Sequence, residues 1–116
     1  MRLLTFGGRD YNDRETFFRH LDRIDRDHCI DVIIEGGALG ADRLGREWAL
    51  ARDVRHVTFE ADWKTHQRRS GPMRNQRMIE EGMPTHAIAA PGGVGTDDMT
   101  RRVRAAGIPL IEIPRT

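Results

Sequence analysis

The chain has 116 residues, a formal net charge of +1 and a single cysteine, Cys29. That length supports one domain with one core, and the lone cysteine excludes a disulfide framework or a cysteine zinc site. The near-balanced charge argues against a broad polyanion-binding face, and no stretch approaches the roughly 18 apolar residues of a membrane span.

Met1 to Phe6 is too short for a signal peptide and reads as a strand, so the expectation is a soluble cytoplasmic protein. Leu3 to Phe6 forms the first strand, stopped by Gly7-Gly8 in the loop Gly7-Gly8-Arg9-Asp10-Tyr11. Asn12 is placed to cap the first helix, with Glu15 completing a capping box. Phe17, Leu21 and Ile24 follow at helical spacing, and Glu15–Arg19 and Asp22–Arg26 are i,i+4 pairs with the acid first. Ile30 to Glu35 is almost continuously β-branched, as in a strand covered on both faces. It runs into Glu35-Gly36-Gly37-Ala38-Leu39-Gly40-Ala41-Asp42 and a second helix carrying Leu44, Trp48 and Ala51. Val54 to Phe59 is a third strand.

Ala61 to Gly71 is polar and reads as an irregular loop, longer than the usual connection. Pro72 marks the first turn of a third helix, with Gly82 as its stop. Thr85 to Ala90 is a fourth strand, leading through Pro91-Gly92-Gly93-Val94-Gly95-Thr96-Asp97-Asp98 into a fourth helix patterned by Met99, Val103 and Ala106. Ile108 to Ile113 is a fifth strand. Alternation from end to end predicts an α/β fold, a Rossmann-like open parallel sheet of about five strands with helices on both faces. Ligands of such sheets lie at the carboxyl ends of the strands, where all three glycine junctions fall.

Those junctions are the candidates for chemistry. A strand that ends in glycines and opens a helix presents backbone N–H groups and a positive helix end to an anion. Gly36-Gly37-Ala38-Leu39-Gly40 is neither the dinucleotide fingerprint nor a Walker motif, and glycine turns alone explain such clusters often. Glu35 ends a buried strand beside the glycines, where packing explains a carboxylate poorly. Asp42 either supports its helix and pairs with Arg46, or binds a ribose or water. Of Asp97 and Asp98, the helix dipole accounts for at least one, and the other is a candidate acid, base or sugar ligand. Arg74 suits a two-pronged grip on phosphate or carboxylate, with Asn75 beside it. Trp63 either caps the core beneath its loop or stacks on a base. Eighteen of the nineteen basic residues are arginine, Lys64 being the exception; an arginine-rich genome explains that bias as readily as phosphate binding does. The five histidines show no zinc spacing.

Pro91-Gly92-Gly93-Val94-Gly95-Thr96 resembles the P-G-G-x-G-T motif of the SLOG superfamily. That group includes the LOG phosphoribohydrolases and the DNA-processing protein DprA/Smf. Gly7-Gly8-Arg9-Asp10-Tyr11, the Glu35–Asp42 stretch, and Trp63 followed by Gly71-Pro72-x-Arg74-Asn75-x-x-Met78 resemble, in order and spacing, its YspA/YpsA-related branch of small bacterial and phage proteins. The resemblance implies a nucleotide or nucleotide-derived ligand. It places ligand- or phosphate-binding residues at Gly7, Gly8, Arg9, Gly36, Gly37, Gly40, Asp42, Arg74, Asn75, Pro91, Gly92, Gly93, Gly95 and Thr96, with Trp63 against the base. In LOG enzymes a nucleoside 5′-monophosphate is cleaved to free base and ribose 5-phosphate. Arg74 stands at the position of the family's helix arginine. The family pattern puts its glutamate at position 99, where this chain has Met99, and Asp98 is the nearest acid. The catalytic candidates are therefore Arg74, Asp98 and Glu35, in a scheme that needs no metal or cofactor. A sensor module without turnover is the alternative. Single-stranded DNA binding, as in DprA, is weaker, since seven aromatics leave little for a stacking groove. Met and Ala on helix faces, together with the family's habit, imply a homo-oligomer, a dimer.

Overall fold

The computed structural model describes residues 1–115. Its elements in chain order are β1 (Arg2–Phe6), α1 (Arg14–His28), β2 (Val32–Glu35), α2 (Ala41–Ala51), β3 (Arg55–Thr58), α3 (Trp63–His66), a 3-10 turn (Gln67–Arg69), α4 (Ser70–Glu80), β4 (His86–Ala89), α5 (Val94–Ala105) and β5 (Leu110–Glu112). The five strands form one sheet in the order β3-β2-β1-β4-β5, every pairing parallel. This is the expected Rossmann-like α/β architecture.

The period-2 alternation of strand side chains sorts the core into two layers. Leu3, Ile33 and Ile88 point to one face, where Phe17, Leu21 and Ile24 of α1 and Leu44, Trp48 and Ala49 of α2 cover them. Leu4, Ile34, Ala87 and Ala89 point to the other, beneath Met78 of α4 and Met99 and Val103 of α5. Trp48 and Phe17 are fully buried, each worth roughly 1.5–3 kcal/mol in area removed from water. All four residues of β2 are buried, Val32 to Ile34 as an apolar run demands and Glu35 with its carboxylate hydrogen-bonded, while the edge strands β3 and β5 are partly exposed. Because connections of one hand put α1 and α2 on one face and α4 and α5 on the other, the direction of winding reverses between β1 and β4. A crevice opens there at the carboxyl ends.

Four local expectations are corrected. The cap of α1 is Asp13, not Asn12: Asp13 Oδ1 accepts from the Thr16 N–H at 3.1 Å, which starts the helix one residue later and takes Glu15 out of capping-box spacing. Asp22 does not pair with Arg26. It accepts two hydrogen bonds from Arg52 and one from Trp48 Nε1, at 2.9–3.0 Å, tying α1 to α2 with better geometry than an i,i+4 contact offers. The polar stretch from Ala61 is helical, and α4 begins at Ser70 rather than at Pro72. Local caps explain this: Asp62 accepts from the Thr65 N–H at 3.1 Å, and Ser70 Oγ donates to the Asp62 carbonyl at 2.8 Å. Finally, Ala51 and Ala106 lie exposed at the last turns of α2 and α5, and Ala49 takes the core position instead.

Candidate functional site

Backbone hydrogen bonds stitch the three glycine junctions together. Gly8 N–H donates to the Pro91 carbonyl at 3.0 Å, Ala41 N–H to the Gly8 carbonyl at 3.2 Å, and Ala90 N–H to the Phe6 carbonyl at 2.9 Å. The approach is close enough that Gly40, at φ +74°, has no room for a side chain: a Cβ there would lie 2.1 Å from the Gly8 carbonyl oxygen. Above this knot is a cleft of about 930 Å³.

The structure brings most of the candidate residues onto the walls of this cleft. Gly7, Gly8 and Arg9 come from the end of β1; Gly36, Gly37 and Asp42 from the β2–α2 junction; Trp63 from α3; Arg74 and Asn75 from α4; and Gly93, Gly95, Thr96 and Asp98 from α5. Four others stand elsewhere. Gly40 lies in the knot beneath. Pro91 and Gly92 border a separate hollow of about 610 Å³ on the β5 side of α5. Glu35 is fully buried and off the cleft wall. Its carboxylate accepts from the Gly37 N–H at 2.8 Å, from Arg46 Nη1 at 3.2 Å and from the Thr58 hydroxyl. Arg46 therefore pairs with Glu35 and not with Asp42.

The glycine junctions differ in what their amides do. At β2–α2, the Gly36 and Ala38 N–H groups donate to Asp42 Oδ2 at 3.1 and 3.3 Å, and the Gly37 N–H is held by Glu35. The protein's own acids fill this turn. Both α2 and α5 start without a side-chain cap, but at β4–α5 no side chain of the described residues turns back onto the amides of the glycine turn. The first backbone bond of α5 is Asp97 N–H to the Gly93 carbonyl at 2.9 Å, so the N–H groups of Val94, Gly95 and Thr96 have no protein partner among the described residues. Uncapped amides at a helix start make an anion cradle, and these line the cleft.

Between the junctions runs a polar bridge. Arg74 Nη1 donates to the Gly36 carbonyl at 2.5 Å and its Nε to Asn75 Oδ1 at 3.1 Å. The buried Asn75 donates in turn to Asp98 Oδ2 at 3.0 Å. Asp98 also accepts from Arg102 Nε at 2.8 Å and Arg101 Nη2 at 2.6 Å, and Arg102 reaches Gln76 Oε1 at 2.8 Å. Partial burial works to raise the Asp98 carboxyl, but the hydrogen bonds from Arg102 and Asn75 and the two arginine charges outweigh it and hold it below the usual carboxylate range. Asp42 behaves oppositely. Burial is the main cause, with the Glu35 charge adding to it, and although Arg74 and the Ala38 and Gly36 amides pull against them, its pKa is raised to about 6. Met99 is buried in the α4–α5 core layer, as its helical phase predicts, and offers no acid to the cleft.

Trp63 is 57% exposed, so it does not cap the core; it leans past Gly71 at the cleft edge. The sequence reading did not single out Leu39, Val94, Glu60, Arg68 or Arg101 as wall residues. Leu39 and Val94 carried a signal, being apolar residues inside glycine turns, and both are exposed. The Asp98–Arg102 spacing of four also announced its ion pair. Nothing in the local sequence marks Glu60 or Arg68. Among the described residues no group of three or more His, Cys, Asp or Glu is placed to hold a metal ion, and no helix is long and apolar enough to cross a membrane.

Comparison with known proteins shows the family. The family model described as the YspA, cpYpsA-related SLOG family matches residues 1–66, from β1 through α3. The Gene 61 protein of Mycobacterium phage D29 is 36% identical over 118 residues, covering 95% of this chain and 94% of that protein, so the likeness extends through α4 and the β4–α5 junction. No solved structure matches the chain. With the five-stranded parallel sheet, the matched N-terminal half and a relative aligned along nearly its whole length, the chain belongs to the YspA, cpYpsA-related SLOG family.

Proposed function

We propose that this protein binds a nucleoside 5′-monophosphate or a close derivative in the strand-end cleft and hydrolyses its N-glycosidic bond. One observation carries the reading: the unpartnered N–H groups of Val94, Gly95 and Thr96 line a cleft that Arg9, Arg68 and Arg74 also line. The 5′-phosphate sits on those amides, where hydrogen bonding and the helix dipole act together. Arg9 and Arg68 have no side-chain hydrogen bond or ion pair among the described residues and are available to add charge. The β2 side of the cleft lies two strands away, about 10 Å at ordinary strand spacing. That distance is spanned by a ribose and part of a base, and Trp63 and Leu39 offer the base an apolar flank. Asp98, kept ionised by its arginines, supports positive charge developing on the ribose.

A second reading, ligand sensing without turnover, is favoured by the same residue: Asp98 is so fully engaged that it is a poor proton carrier. One set of measurements separates the two. Nucleoside 5′-monophosphates should raise the melting temperature, by a stabilisation of about 2.7 kcal/mol at a ligand concentration of 100 Kd, while the corresponding nucleosides should not. Chromatography of the same mixtures should show free base and ribose 5-phosphate. Stabilisation with every nucleotide recovered intact would establish the sensor, and no preference for the phosphate would overturn the cradle.

A further inference from the structure

We propose that Asp42 is the proton-carrying residue of the cleft, delivering a proton to the leaving base and recovering it from the attacking water; this rests on the hydrolytic reading above. The sequence offers Asp98 and Glu35 as catalytic carboxylates and Asp42 only as a helix support or a ribose or water ligand, and the structure separates the three. Glu35 is off the cleft wall with both oxygens engaged. Both oxygens of Asp98 are held by arginines. Asp42 lines the cleft, is 5% exposed, and receives both of its hydrogen bonds on Oδ2, so Oδ1 is left to carry a proton.

Its surroundings suit the task. Asp42 Oδ2 and Arg74 Nη1 converge over Gly36, 2.9 and 2.6 Å from where a Cβ on that residue would lie. The charged groups acting on the carboxyl are Arg74 from α4 and Glu35 from β2, while Arg46 of its own helix is turned to Glu35. Burial and Glu35 favour the protonated form and Arg74 the ionised one, which places the balance near neutrality, where a general acid–base works best. Asp42 also stands two strands from the amide cradle, on the side where the base lies when the phosphate is seated on α5.

The step balances without another reactant than water. The Oδ1–H proton passes to a ring nitrogen of the base as the C1′–N bond breaks, and the bonding pair leaves with the base. The oxocarbenium at C1′ takes the oxygen of water, and the proton released returns to the Asp42 carboxylate. The products are neutral base, ribose 5-phosphate and protonated Asp42.

The test is kcat/KM for base release against pH in the wild type and in Asp42→Asn, which keeps an oxygen for the Gly36 and Ala38 amides. Because the acid must start protonated, the wild-type value should fall tenfold per pH unit above about pH 6. Asp42→Asn should bind the nucleotide by calorimetry, lose at least about 100-fold in rate, and leave a residual rate that is flat over that range. A second readout is stability. A carboxyl whose pKa rises on folding takes up a proton between about pH 4 and pH 6 that the unfolded chain has already lost, so its ionisation opposes folding above that window. Asp42→Asn should therefore melt higher than wild type at pH 7.5, with the gain vanishing below pH 4. A carboxylate that merely holds the turn would give the reverse, a lower melting temperature at pH 7.5. Unchanged rate and pH profile in Asp42→Asn would overturn the role of Asp42 and leave hydrolysis standing. Intact nucleotide with the wild type, despite binding, would overturn hydrolysis and this role with it.

Discussion

The β2–α2 and β4–α5 junctions look alike in sequence and differ in chemistry. Each is a buried strand, a glycine turn and a helix whose cap residue is glycine, Gly40 in one and Gly93 in the other. In the first, Asp42 is the second residue of its helix and folds back onto the amides of Gly36 and Ala38. In the second, that helical position is Gly95, and the first acids, Asp97 and Asp98, come two and three residues later. Neither folds back onto the glycine turn, and Asp98 turns instead to Asn75, Arg101 and Arg102. A glycine turn before a helix is thus an anion site only if the chain does not supply the anion itself.

The comparison can be broken at the shared knot, with the largest effect expected. Gly40→Ala forces a Cβ into the Gly8 carbonyl at a positive φ, so both junctions should be displaced together. We expect a loss of at least about 3 kcal/mol in a denaturant titration, from strain and overpacking combined. A loss below 1 kcal/mol would show that the three strand ends are not locked to one another.

A more selective change makes the open junction resemble the closed one. Gly95→Asp puts a carboxylate at the helical position that Asp42 occupies in α2, and a Cβ on Gly95 has no atom within 4 Å, so the fold should tolerate it. The added carboxylate beside the Val94–Thr96 amides should repel phosphate, weakening nucleoside 5′-monophosphate binding by about 100-fold, or about 2.7 kcal/mol. Calorimetry showing unchanged affinity would remove the phosphate from that helix end.

The smallest effect belongs to a helix start with an ordinary cap. Asp13→Ala removes the acceptor for the Thr16 N–H of α1 and should lower the melting temperature slightly, with no change in nucleotide affinity. Equal damage to binding would mean that α1 communicates with the cleft, which the geometry gives no reason to expect.

Much of this was legible before any coordinates. The apolar run Val32–Ile34 of β2 and the helical spacing of Phe17, Leu21 and Ile24 dictated which faces are buried, because side-chain period follows directly from backbone geometry. The three glycine clusters marked strand ends for the same local reason. The readings that failed were those in which two local solutions competed. Asn12 and Asp13 both satisfy a cap, and Asp22 has a partner at i+4 as well as one across the helix interface. The Ala61 stretch has no apolar period to betray its helical turns, since α3 and the turn after it bury no residue.

The candidate site divides in the same way. Sequence alone determined that glycine turns, an arginine helix and several acids would gather at the carboxyl ends of a parallel sheet, since each of those features is set by neighbours a few residues away. Only the tertiary structure decided which of them remain free to act. Glu35 is engaged by Thr58 and Arg46, the Gly36 carbonyl by Arg74, and Asp98 by Asn75 from another helix, all through contacts between separate segments. A hydrogen-bonding group spent on such a contact is closed to a ligand. The amides of Val94 to Thr96 and the Oδ1 of Asp42 are among the cleft groups that no segment of the described fold reaches.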